Sequence, residues 1–163
     1  MRAMILRACA LALSAAASCA TACPSGTSAL FGCDAEKRKF IELCAPSPID
    51  ELTYRFGSAD ENGEETKVEL EYTQKPARFF GATYTQKGVY TQSIRFVSGG
   101  FDYTVYTEAR GMATIGAGVN VRNRKTGKTS TVACTERPRF YIYELKDLVA
   151  CDPETPVGNA CIK

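Results

Sequence analysis

No histidine occurs anywhere in the chain, and its absence decides most of the chemistry open to it. Ser–His–Asp and Cys–His nucleophile systems are removed, together with the usual zinc sites. What remains for proton transfer is a pair of carboxylates, one acting as acid and one as base. The candidates are Asp50, Glu51, Glu69, Glu71 and Asp102. Most of the acids nearby crowd into Asp60 to Glu71, a polar stretch whose Asn62-Gly63 reads as a hairpin turn exposed to solvent. No nucleotide-binding glycine loop or G-x-S-x-G elbow occurs. The expectation is a protein that is not an enzyme, with no cofactor and no metal, and a carboxylate-based hydrolase as the residual route.

Cysteine is the second chemical resource. Cys9 and Cys19 fall in an N-terminal leader. The remaining six are Cys23, Cys33, Cys44, Cys134, Cys151 and Cys161. An even number in an exported chain reads as a disulfide framework, and no pair has the C-x-x-C spacing of a metal or redox site. Spacing favours Cys33–Cys44 as a clip across the mouth of a hairpin and Cys151–Cys161 as a small closed loop. By elimination, Cys23 is then left with Cys134.

The leader is Met1 to Ala22. Arg2 and Arg7 form its basic end, Ala8 to Ala17 its apolar run, and Ala20-Thr21-Ala22 a cleavage site. The run is too short to cross a bilayer, and no later stretch is long and apolar enough to do so. Cleavage after Ala22, or after Ala20, leaves one domain, 23–163. Lipid attachment at Cys19 or Cys23 is the weaker alternative, because Ala16 and Ala20 stand where a bulky aliphatic residue is wanted. The chain is expected in the periplasm or outside the cell.

Without Arg2 and Arg7 the charge is balanced, 18 bases against 18 acids. A neutral protein has no general attraction for nucleic acid. The first part, to Lys75, is acidic and the rest basic, a pattern that most simply pairs the two halves.

The elements that must carry these residues are strands. Val89 to Val97, Phe101 to Tyr106 and Ala113 to Arg122 alternate with period two, and are separated by Ser98-Gly99-Gly100 and by Gly111. Earlier strands are expected at either side of Asp34 to Arg38, at Leu52 to Phe56, at Val68 to Tyr72 and at Arg78 to Tyr84, the last with a bulge at Gly81. Later ones are expected at Thr129 to Cys134 and Phe140 to Leu145. Cys151 to Cys161, with two prolines and a glycine, is expected to be irregular. The fold class is therefore all-β: a single antiparallel sandwich or barrel of about nine short strands, tied by disulfides. Eight tyrosines lie amid many threonines. Such a face can bind sugar or protein, because each ring offers area and a hydroxyl together, although the lack of tryptophan counts against a sugar platform.

The chain resembles a broad group of small exported proteobacterial β proteins of unknown function. The resemblance is carried by Cys33 and Cys44, Tyr54-Arg55-Phe56-Gly57, the tyrosine-rich stretch Tyr90 to Tyr106, Gly118-Val119-Asn120-Val121 and Cys134, and covers roughly Phe31 to Cys134. Gly81 to Tyr90, GATYTQKGVY, is similar to a Gly-x-x-Tyr-x-x-Gly-x-Tyr region of the periplasmic inhibitors of c-type lysozyme, with one residue more and no tryptophan after it. Those inhibitors are disulfide-tied β-barrels that insert a loop into the lysozyme cleft. The resemblance implies a binding or inhibitory module with a protein partner, contacted by Tyr84, Lys87 and Tyr90 around the loop Thr85 to Gly88. The competing expectation is a structural envelope protein without a small-molecule site. The oligomeric state is left open.

Overall fold

Alternating side chains build two sheets that share one core. The computed structural model describes residues 23–163; the leader, its cleavage point and Cys19 lie outside the described residues. The strands are β1 (Thr27–Ala35), β2 (Lys39–Pro46), β3 (Leu52–Ala59), β4 (Glu65–Gln74), β5 (Phe80–Gln86) and β6 (Val89–Ser98). They continue as β7 (Phe101–Arg110), β8 (Ala113–Asn123), β9 (Thr129–Ala133), β10 (Arg139–Phe140), β11 (Ala150–Thr155) and β12 (Gly158–Ala160). One sheet runs β10-β1-β2-β3-β4 and the other β12-β11-β5-β6-β7-β8-β9. They pack face to face as a sandwich, the expected class, with twelve strands among the described residues in place of about nine. No helix among these residues is long and apolar enough to cross a membrane.

The inner faces supply Phe31, Ile41, Leu43 and Tyr54 from one sheet and Ile94, Phe96, Val105 and Val119 from the other. Phe96 is the centre of this core. Its ring stacks between Tyr72, at 4.5 Å, and Tyr103, at 5.0 Å, with Tyr54 also at 5.0 Å. Offset ring contacts of this kind add about 0.5–1.5 kcal/mol each beyond the area they bury.

The disulfides are Cys23–Cys44, Cys33–Cys134 and Cys151–Cys161. The last is as expected; the expected Cys33–Cys44 and Cys23–Cys134 are corrected. On β2, Ile41 and Leu43 point into the core, so Cys44 points away from it. Cys33 lies opposite Ile41 and faces inward, whereas Cys44 lies opposite Ala29, beyond a register shift between Ala29 and Phe31. The two sulfurs are on opposite faces and several residues apart. Cys33 instead reaches Cys134, which follows β9, and ties the two sheets together. Cys23 folds back over the outer face onto Cys44.

Three local expectations also change. Phe140 to Leu145 is not one strand: β10 stops at Phe140, and Ile142–Leu145 forms a 3₁₀ turn. The cause is visible in the packing. Ile142 and Leu145 are three apart and both fully buried, which is the period of that turn, while Tyr141 and Tyr143 stay exposed. Cys151 to Cys161 is not irregular: it spans a hairpin, β11–β12, with β11 parallel to β5. Pro153 falls beyond Cys151, the last residue paired with β5, so its missing N–H removes no ladder bond there. No bulge occurs at Gly81, since the β5–β6 register runs unbroken from Phe80 opposite Arg95 to Gln86 opposite Val89. Gly81 gives space instead. A Cβ there would stand 2.6 Å from both Ile162 Cδ1 and Val149 Cγ2, so the missing side chain lets the C-terminal segment close over β5.

Candidate functional site

Strands β5 to β8 run past the cover of the smaller sheet at one end. Thr85 to Gly88 and Tyr90 are exposed, as are Arg110 to Ile115 on the neighbouring hairpin. Consecutive residues are exposed there, so neither face of the overhang is covered. The β5–β6 hairpin closes with two residues, Lys87 and Gly88, at φ 51° and 76°. Both values are left-handed, as a tight primed turn requires.

The sequence-predicted residues all sit on or beside this end, but not on one face. Tyr84 is opposite Thr91, and Tyr90 is opposite Thr85. Alternation therefore sends the two rings to opposite sides of the sheet, with Lys87 at the tip between them. Tyr90 and Lys87 are exposed. Tyr84 is half-buried and hydrogen-bonded to Thr91. Its hydroxyl pKa is pushed up by burial and by the charges of Glu108 and Asp152, with the Thr91 bond working the other way.

The sequence reading missed the other hairpin tip. Met112 is fully exposed, and Ile115 is 52 % exposed. Ile115 is the extra residue of a bulge: Glu108 pairs with Gly116 and Ala109 with Thr114, leaving Ile115 unpaired and turned outward. A groove of about 400 Å³ runs between Met112–Ala117 and Cys134–Pro138, with Glu136 and Arg137 on its far wall. Asp34 lies near that wall; burial, then the charge of Glu136, raises its carboxyl pKa. The available cue was Gly111-Met112, an apolar residue placed directly after a turn glycine.

The outer face of the larger sheet is polar and partly sunk. Across it, Tyr84, Thr91 and Glu108 form one row, Ser93 and Tyr106 the next, and Arg95, Thr104 and Asn120 a third. Gly116 makes room for this arrangement, since a Cβ would lie 3.1 Å from Glu108 Oε2 and 3.8 Å from the Tyr106 ring. Burial first, then Glu108, raises the Tyr106 pKa. At the other end Arg95, 6 % exposed, rests 4.5 Å over the Phe80 ring. It donates to Asp152 at 2.8 Å and to Asp102 at 3.2 Å. Asp102 also accepts from Arg122 at 2.7 Å and Arg124 at 2.8 Å. Burial opposes the Arg95 charge, but its bond to Asp152 and the charges of Asp152, Glu154 and Asp102 outweigh it. The smaller sheet has a counterpart in Arg55, which donates to Glu42 at 2.8 Å and to Glu65.

The carboxylates considered for hydrolysis are scattered. Asp102 belongs to the arginine network just described. Glu71 pairs with Arg55 at 3.5 Å, and Glu69 accepts from Lys39 and from Ser58 at 2.9 Å, both on the smaller sheet. Asp50 stands 4.0 Å from Lys75 at the surface, and Glu51 is exposed. Glu69 is held below the usual carboxylate range by Lys39, the opposite of what a general acid needs. Cys23, Glu42 and Cys44 lie close together, but both sulfurs are committed to the disulfide.

A third feature is a cleft of about 300 Å³ between the sheets at the side where β4 and β9 end them. Tyr54, Phe56 and Leu70 form one wall and Tyr103, Val121 and Val132 the other, with Glu69 and Ser130 at the rim. Three disulfides within the chain point to an oxidising compartment outside the cytoplasm. No family model, curated protein or solved structure matches this chain.

Proposed function

We propose that the chain is an exported binding module of the periplasm or cell exterior, and that it grips a protein partner with its two overhanging hairpin tips. It acts by occupation and not by catalysis. The observation that supports this most is the fully exposed Met112 beside a groove of about 400 Å³, on strands held by a disulfide-tied sandwich. A rigid scaffold that presents loop residues lowers the ordering cost of binding. An unbranched thioether side chain is suited to fit an irregular apolar surface. Lys87 and Arg110 add positive charge to the same end, and Tyr90 adds an aromatic ring.

The similarity of Gly81 to Tyr90 to the lysozyme-inhibitor region makes a c-type lysozyme the first partner to test. The immobilised native protein is titrated with lysozyme, and lysozyme turnover is followed in parallel. Binding with loss of turnover, weakened at least tenfold by Met112→Asp and by Lys87→Ala at unchanged melting temperature, supports the reading. Equal binding by both variants excludes these tips as the contact. Failure of lysozyme to bind removes that partner. If no stoichiometric partner is then recovered from periplasmic or secreted material, the structural envelope role takes its place.

A further inference from the structure

The inter-sheet cleft at the β4/β9 side is separate from the hairpin tips and has its own chemistry. We propose that it holds a single-chain amphiphile, with an aliphatic chain of about ten carbons between the sheets and a polar head at the rim. Its volume of about 300 Å³ is the share of roughly ten liquid waters, and reaches the lower bound for small-molecule sites. Seven apolar or aromatic side chains, Val119 among them, make its walls, so water inside finds few partners and is readily displaced.

The shape selects the occupant. Packed sheets stand about 10 Å apart, which admits a slim molecule and not a folded surface. A peptide strand would carry an N–H and a C=O per residue between mostly apolar side chains, more polar groups than the few hydroxyls and the one carboxylate of the lining could satisfy. An aliphatic chain carries neither. Next to two lining residues, the Lys39 ammonium stands 5.8 Å over the Phe56 ring and bonds to Glu69, and it donates to Ser58 at 2.8 Å. Glu69 lines the cleft, as does Ser130 on β9. Apolar walls thus end in a charged and hydroxylated edge, the pattern of an amphiphile.

The probe is a naphthylamine dye that fluoresces in apolar surroundings, displaced by straight-chain fatty acids below their micelle concentrations. Each methylene buried strengthens binding about fourfold, so displacement tightens stepwise from butanoate to decanoate. Decyl glucoside competes in the same range, because the chain supplies the affinity. Val121→Phe fills the cleft and removes dye binding, with the fold checked by circular dichroism. Val132→Trp, on the exposed edge strand, is the second filling variant should the first not fold. Met112→Asp leaves dye binding unchanged, which separates the cleft from the partner surface. Affinity that is flat with chain length, dye binding that survives the filling variants, or its loss in Met112→Asp overturns the proposal.

Discussion

Replacing Arg95 by methionine removes the central cation of the buried network while keeping most of the volume of its stem. The consequences for its two acids differ. Asp102, 2 % exposed, still accepts from Arg122 and Arg124. Asp152, 4 % exposed, retains only the Glu154 N–H at 2.9 Å, so an uncompensated charge is left on β11. Breaking a buried pair from one side costs about 3–5 kcal/mol, and the stacking on Phe80 is lost as well. For a domain of this size the melting temperature should fall by roughly 10–15 °C. Asp152→Asn alone should cost less, because Arg95 keeps Asp102 and Glu154. With both changes the stranded charge is gone, so the double variant should be more stable than the sum of the two costs by at least about 1 kcal/mol. Urea unfolding with the disulfides intact measures all three. Costs that add to within about 0.5 kcal/mol would show that the pair is not a coupled unit.

Two further outcomes follow from covalent and titrating groups. Removal of Cys33–Cys134, which closes a loop of 101 residues, should cost about 4–5 kcal/mol, against about 3 kcal/mol for Cys151–Cys161, which closes 10; urea midpoints of the two paired Cys→Ala variants give the order. Asp34 holds its proton more readily when folded than unfolded, so its contribution is present at low pH and is lost as pH rises through the folded value. Asp34→Asn should therefore raise stability at pH 7 and have no such effect below the unfolded pKa; melting curves across that range show whether the gain disappears on acidification.

The meander β6–β7–β8 was legible almost to the residue, because long period-two runs with glycine turns leave the backbone little choice. The fate of its outer face was not. Alternation assigns Arg95 and Asp102 to the side away from the core, and by composition that side is wet. Arg95 is buried where β11, distant in sequence, arrives beside β5 and brings Asp152, 57 residues on, and Asp102 is enclosed by Arg95, Arg122 and Arg124. The disulfides failed for a related reason. Cys33 and Cys44 share one hairpin, but its turn sets Cys33 opposite Ile41, and Cys44, an odd number of residues further along β2, therefore points to the other face. Of the candidate binding residues, Lys87 at a tight turn was readable from Gln86-Lys87-Gly88. That Tyr84 and Tyr90 cannot share a surface was also implicit in their even separation across a two-residue turn. Gly111-Met112 hinted at an exposed apolar tip, but Ile115, which falls in an alternating strand pattern, could be found only once the smaller sheet was seen to stop short of it.

The C-terminus carries a consequence for how the molecule comes into being. Ile162 is buried against Gly81, and the Cys161 carbonyl accepts the Thr83 N–H at 3.0 Å. A central strand of the larger sheet therefore stays uncapped until the segment around Ile162 is in place. A chain emerging from its N-terminus would form β5 long before the residues that cover it had followed.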